Sequence, residues 1–224
     1  MKNIIKENAD NLGAISAKAI AEEISSVLNR KNNVMMGISG GNSVKEIFSH
    51  LREENISWEK VNIFFIDERF VPLDSDESNY KQALDYFPNS SLIPITYTNL
   101  NDSAIDYTSK FYNKGEKFDI IILGAGEDSH IASLFPGHPE INSESSSFIA
   151  ITDSPKPPKE RITASKVLLK KSDCCFLVFL GDSKRIAYDM FNNPEISEEE
   201  CPSKITKAIR NLNIITDLEI KGII

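Results

Sequence analysis

Cysteine is scarce. The three present, Cys174, Cys175 and Cys201, include an adjacent pair inside an apolar run. No CxxC pair exists, so zinc-ribbon and dithiol redox chemistry have no ligands to work with. The pattern predicts buried, reduced thiols in a reducing compartment. Positive charge is also short. Lys and Arg number 25 against 33 Asp and Glu, a net charge of −8 over 224 residues. Nucleic acid is thereby excluded as a partner, because binding it needs a basic face that displaces counterions. A small anionic substrate is not excluded, since a few clustered cations make a local positive field in an acidic protein. No apolar run approaches the roughly 20 residues that a membrane-spanning helix needs. Met1 to Asp10 is polar and lacks the apolar core of a secretory signal. A cytoplasmic protein with no membrane partner is expected.

Hydrophobic residues make up 41% of the chain, enough to bury a substantial core without staples. Leu12, Ile15, Ala19, Ile20, Ile24, Val27 and Leu28 recur at helical spacing, predicting a first helix over residues 7–29. The short apolar runs Val34–Ile38, Val61–Ile66, Phe118–Leu123 and Cys174–Leu180 read as buried strands, with Asn213–Thr216 as a last one. Between them, Val44, Ile47, Phe48 and Leu51 mark a helix. So do Ala104, Ile105, Thr108, Phe111 and Tyr112, and then Ala187, Met190 and Phe191. Apolar strands alternating with helices predict an α/β fold with a mainly parallel, Rossmann-like sheet covered by helices on both faces. No repeat or long linker divides the chain, so residues 1–224 are expected to form a single domain. Ser143–Ser147 and Pro155-Lys156-Pro157-Pro158 read as surface loops.

Four of these strands run into polar or glycine-rich sequence. The segments are Ser39-Gly40-Gly41-Asn42-Ser43, Asp67-Glu68-Arg69, the run from Gly124 to His130, and Gly181-Asp182-Ser183-Lys184. In an open parallel sheet, ligands bind beyond the carboxyl ends of the strands, so the four segments are predicted to converge on one site. Gly40-Gly41 before a helix suits a phosphate, because the backbone comes close and free N–H groups face it. The plainer reading is a strand-to-helix turn with Ser43 as N-cap. Asp67 and Arg69 alternate along an extended chain, as an ion pair or as an anion-facing Arg with an orienting Asp. Gly124-Ala125-Gly126 begins like GxGxxG, but Ser129 stands at the third glycine. His130, one of three histidines with His50 and His138, follows a glycine-rich turn and Asp128. Asp128, His130 and His138 match no zinc spacing, so no metal site is expected. Lys184 is expected to open a helix.

Gly37-Ile38-Ser39-Gly40-Gly41 also fits GxSxG, the nucleophile elbow of serine hydrolases, and the order Ser39, Asp67, His130 fits that family. The elbow normally follows an earlier loop that supplies an oxyanion donor. Only one predicted helix and one short strand precede Ser39, so the serine mechanism is set aside.

These segments together resemble the 6-phosphogluconolactonase family. The matches include Gly37-Ile38-Ser39-Gly40-Gly41, Asp67-Glu68-Arg69-Phe70-Val71-Pro72, Asp76-Glu77-Ser78-Asn79 and the run from Gly124 through His130-Ile131-Ala132-Ser133-Leu134-Phe135-Pro136-Gly137. Lys156-Pro157-Pro158-Lys159-Glu160-Arg161-Ile162-Thr163 and Gly181-Asp182-Ser183-Lys184 complete the order. Two positions depart from the family pattern: it usually has Gly at Ser129, and Thr or Ser at Asn42. The resemblance implies hydrolysis of a phosphorylated sugar lactone in the oxidative pentose phosphate pathway, with no cofactor. His130 is the implied general base, oriented by Asp128 or Asp67. Ser39, Gly40, Gly41, Asn42, Arg69, Arg161 and Lys184 would hold the phosphate and polarise the lactone, with the division of labour among the cations left open. Glucosamine-6-phosphate deaminases share the implied fold but carry a glutamate shortly after the matching His, where this chain has Phe135. A non-catalytic sugar-phosphate sensor is the third class, and the chain has no basic segment for its usual DNA-binding helices. A monomer or weak homodimer is expected.

Overall fold

Residues 2–87 and 89–219 are described by a computed structural model. The apolar runs form strands whose side chains alternate between two cores, as period-2 geometry requires. In β2 (Val34–Ile38), Val34, Met36 and Ile38 enter one core and Met35 the other. Later in the chain, Ile120 and Ile122 face the first core while Ile121 and Leu123 face the second. Both faces are therefore apolar, and both must be covered.

Preceding β2 are β1 (Lys2–Lys6) and helix α1 (Ala9–Leu28), capped by the Asn8 side chain on the Asn11 N–H. After it come α2 (Asn42–Leu51), β3 (Val61–Phe65), β4 (Asp67–Arg69), α3 (Asn79–Leu84), β5 (Ser91–Ile93), α4 (Leu100–Lys114) and β6 (Ile120–Gly124). The chain continues through β7 (Phe148–Ile151), β8 (Arg161–Ala164), α5 (Lys166–Lys170), β9 (Cys174–Phe179), α6 (Arg185–Asn192) and β10 (Asn211–Thr216). Among the described residues, seven strands form one parallel sheet in the order β1-β10-β9-β6-β2-β3-β5. Helices α1 and α2 pack on one face, whose core includes Leu12, Ile20, Ile47 and Phe48. On the other face an aromatic cluster of Phe64, Tyr107, Phe111, Phe118 and Phe148 joins α4 to the sheet. Truncating one of these fully buried rings to Ala would cost about 3–5 kcal/mol.

The mainly parallel, doubly covered sheet agrees with expectation; β2 has the expected bounds, and α1, β3, β6 and β9 fall within one or two residues of theirs. The second sheet and the edge strands show what periodicity missed. A three-stranded antiparallel sheet, β4-β8-β7, lies outside the main sheet. It pairs Asp67–Arg69, read from the sequence as extended chain, with Arg161–Thr163. β1 at one edge and β5 at the other are short and largely unburied, so they carry no continuous apolar signal. Two strands, not one, thus precede Ser39. Gly41 rather than Ser43 holds the N-cap position of α2, and no side chain caps it. Lys184 ends a 3₁₀ turn, Asp182–Lys184, one residue before α6. All three cysteines are buried and unpaired.

Candidate active site

The strand order reverses between β2 and β6. From β2 the chain moves outward to β3, whereas from β6 it moves the other way to β9 and β10. Such a switch point opens a crevice at the carboxyl ends of the strands. Here the Ser39 N–H donates to the Ile122 carbonyl at 3.0 Å, and the Ser39 hydroxyl accepts from the Gly124 N–H at 3.1 Å. Those bonds tie the two glycine-rich segments together at the floor of a cavity of about 570 Å³.

All four predicted segments reach this cavity. Its lining includes Ser39, Gly40, Gly41 and Asn42 from the β2–α2 turn, and Asp67 and Arg69 from β4. His130 comes from the segment after β6, Arg161 from β8 and Lys184 from the turn after β9. Two residues given no role from sequence also line it, Asn79 and Lys156. Both lie in the stretches that carry the family resemblance, which was the available signal.

Gly40 has a steric reason to be glycine. A Cβ there would lie 2.0 Å from Asn79 Oδ1. Asn79 is locked in turn, its Nδ2 donating to the Asp67 carbonyl at 2.7 Å and its N–H to Glu68 at 2.8 Å. Glu68 is buried and also accepts from the Arg69 and Tyr80 N–H groups and the Ser78 hydroxyl. Burial pushes its carboxyl up to about 7, against the three backbone N–H groups that pull it down. This residue joins β4 to the start of α3 and so sets both Arg69 and Asn79. Arg69 Nη1 donates to the Glu77 carbonyl at 2.7 Å. Arg69 Nε and Asn79 Oδ1 are buried without a hydrogen-bond partner among the described residues. Each such orphan costs about 1–3 kcal/mol, which a polar ligand would recover.

His130 and Asp128 form a close pair through Nδ1 and Oδ1. Asp128 is half-buried. Burial raises its carboxyl, but the His130 and Lys156 contacts outweigh that and hold it well below the usual carboxylate range. An ionised carboxylate only accepts, so Nδ1 carries the proton, and in the neutral ring Nε2 is the nitrogen with the lone pair. The His130 ring stacks on Phe135, with centroids 4.6 Å apart and planes at 31°. Ser129, at the position where the family usually has Gly, has φ 67°, and Ala132 has φ 52°. Two left-handed non-glycine residues thus bracket His130. Conformations of this kind cost about 1–3 kcal/mol each and cluster where function requires them.

Asp67 does not orient His130. It accepts from the Ser133 hydroxyl at 2.8 Å and stands 3.9 Å from Arg161 Nη1. Arg161 is almost wholly buried and largely committed. Its Nε donates to the Pro158 carbonyl, its Nη2 to the Lys156 and Pro157 carbonyls, and its Nη1 to the Ser133 hydroxyl. It therefore braces the Lys156 loop instead of standing free for a phosphate. Lys184 is half-buried; burial lowers its pKa, partly offset by Glu127 and Asp128. His138 is held away from this group, between Glu140 and Asp153. Those three offer ligand atoms within 4.8 Å of one another, but none of them lines the cavity.

The profile of the glucosamine-6-phosphate isomerase/6-phosphogluconolactonase family matches residues 7–214. The chain belongs to this family. A 6-phosphogluconolactonase of Borreliella burgdorferi is 32% identical over 196 residues, covering 82% of this chain and 83% of that one. Among solved structures, a 6-phosphogluconolactonase from Thermotoga maritima superposes with a TM-score of 0.86 at 20% identity, over 96% of this chain and 99% of that one. One from Shewanella baltica gives 0.84 at 22%, over 96% of each. At such identities the two structures speak to the fold, while the family profile and the Borreliella relative place the sequence. Within this isomerase/lactonase family, Phe135 is the discriminating position noted above. It is buried against the His130 ring and offers no acid there.

Proposed function

We propose that the protein hydrolyses 6-phospho-D-glucono-1,5-lactone to 6-phospho-D-gluconate, with His130 drawing the proton from an attacking water. The observation that carries this reading is the His130–Asp128 pair at a cavity lined by four cations, Arg69, Lys156, Arg161 and Lys184. A lactone is an activated ester, so a base and some stabilisation of the developing oxyanion suffice, without a covalent nucleophile. Asp128 fixes Nδ1–H and leaves Nε2 as the base. As the C1 carbonyl becomes tetrahedral, its oxygen takes negative charge. When the ring C–O bond breaks, the leaving oxygen recovers the proton from His130, and the acid product forms.

The uncapped start of α2 at Gly41-Asn42 suits the phosphate, because its free N–H groups and dipole favour an anion. Lys184 is the second phosphate-binding group and Arg69, with its unpartnered Nε, the polarising one. No metal or cofactor enters this reading, and the relatives' names support the substrate class. The sharing of one sheet by both cores supports treating 1–224 as one domain. None of the helices is long and apolar enough to cross a membrane among the described residues.

The deciding experiment follows acid release from freshly generated lactone, beside ammonia release from glucosamine-6-phosphate. Acceleration well above spontaneous lactone hydrolysis is expected. No acceleration, together with ammonia release, would overturn the lactonase reading in favour of the deaminase.

A further inference from the structure

Lys156 Nζ lies 3.1 Å from Asp128 Oδ2 and 3.3 Å from His130 Nδ1, so one ammonium touches both members of the pair. It also stands over the Phe135 ring on which His130 stacks, 5.8 Å from the centroid. The loop that carries it is built to hold it there. The Lys156 carbonyl accepts from Arg161 Nη2 and from the Ser154 hydroxyl, and Ser154 Oγ accepts the Lys156 N–H. About half of the side chain is exposed, and its ammonium sits at the cavity against Asp128.

Electrostatics gives this placement a consequence. Asp128 alone would favour a protonated His130 ring and hold the proton to higher pH, when a base must be neutral to work. A cation against the same carboxylate offsets that field. Other charged groups face the same cavity. Glu127 lies in the same turn, Lys184 approaches from the turn after β9, and Asp67, Arg69 and Arg161 line the cavity from β4 and β8. Among the described residues, Asp128 accepts from the ring Nδ1–H, and the Lys156 ammonium lies beside that same nitrogen.

We propose that Lys156 is a positioning residue for the His130–Asp128 pair, setting the pH at which His130 becomes available as a base. This rests on the reading of His130 as the general base. Two unit charges about 3.3 Å apart and screened by water alter each other's proton affinity by roughly tenfold.

The test compares wild type, Lys156→Met and Lys156→Arg. Methionine keeps the length of the stem, and the backbone carbonyl that binds Arg161 is retained by any side chain. Two readouts are taken: the acid limb of kcat/KM against pH, and the NMR titration midpoint of the His130 ring without substrate, with His50 and His138 as internal references. In Lys156→Met both should move up by about one pH unit, and Lys156→Arg should restore both. An unmoved midpoint overturns the proposal. So does a tenfold rise in KM with an unmoved limb, which would make Lys156 a substrate contact. If wild type hydrolyses no lactone, the functional reading fails by itself, while the NMR midpoints still decide whether Lys156 governs the pair.

Discussion

A Cβ on Gly126 would stand 1.9 Å from His130 Nδ1 and 2.5 Å from Asp128 Oδ1. The Gly126 N–H also donates to the His130 carbonyl at 2.8 Å. The missing side chain is therefore what lets the turn fold back and bring the carboxylate onto the imidazole. Gly126→Ala should push the pair apart while leaving both catalytic side chains in the protein. A displacement near 1 Å costs roughly a hundredfold in rate. We expect kcat to fall by about that factor, against about two to four decades for His130→Asn. His50→Ala, on the exposed end of α2, should change little. Near-normal kcat in a folded Gly126→Ala protein would show that the close packing is not needed.

Glu68 supplies a pH signature. Burial raises its folded pKa to about 7 from the ordinary 4.5. The folded state then binds the extra proton between those values. The contribution of Glu68 to stability is thus fully present below about 4.5 and declines as pH rises toward about 7. Glu68→Gln should cost about 1–3 kcal/mol, since one acceptor oxygen becomes an amide facing N–H donors. The difference in unfolding free energy between wild type and Glu68→Gln should shrink as pH rises through this window. Urea unfolding at pH 4.5, 5.5 and 7 measures it, and a difference that grows with pH would mean the N–H donors dominate and the carboxylate is ionised throughout.

Much of this arrangement was legible in the sequence. The bounds of β2 and the near-bounds of β9 followed from continuous apolar runs, and the polar sequence after four strands gave the site. The rest needed tertiary contacts. β4 is three residues long and polar, so alternation suggests an extended chain there but nothing local marks its pairing with β8. Asp67 looked as suitable as Asp128 for orienting His130, because distance along the chain says nothing about which carboxylate packs against the ring. Lys156 is 26 residues from His130 and meets it through tertiary contacts, with Arg161 holding the Lys156 carbonyl.

Lys184 and Arg161 should separate experimentally, although both looked like phosphate ligands in the sequence. Lys184→Ala removes a charge-assisted contact, worth about 1.5–3 kcal/mol, and should raise KM for the phosphorylated lactone accordingly. Turnover of unphosphorylated gluconolactone should barely change. Arg161→Ala leaves Asp67 buried without its cation and the Pro157 and Pro158 carbonyls without the guanidinium donor, while the Lys156 carbonyl keeps the Ser154 hydroxyl. Breaking such a buried pair costs about 3–5 kcal/mol, so this variant should lose stability in urea or fail to fold. Equal losses on both lactones for Lys184→Ala would show that it does not read the phosphate.

Chelation tests the metal-free reading. His130, Asp128 and the cavity cations perform the proposed steps alone, and the His138–Glu140–Asp153 group is not part of the cavity lining. Hydrolysis should survive excess EDTA with kcat unchanged. Activity lost on chelation and restored by zinc or magnesium would require a metal in the mechanism.

The GxSxG match at Ser39 invites a covalent acyl-enzyme, with His130 activating the hydroxyl. The surroundings of Ser39 argue otherwise. It is 5% exposed, and its Oγ accepts the Gly124 N–H while its own N–H donates to Ile122. The hydroxyl thus links the ends of β2 and β6 at the floor of the cavity. In a serine hydrolase the nucleophile instead stands exposed at a strained turn, hydrogen-bonded to its base. Fluorophosphonates should therefore leave the protein unlabelled. Ser39→Ala should cost about 1 kcal/mol of stability through the lost strap, with turnover retained and part of the loss falling on KM. Direct water attack predicts a single-phase progress curve without a burst. Stoichiometric labelling at Ser39, blocked by lactone, would establish the serine mechanism and remove His130 from its role as base toward water.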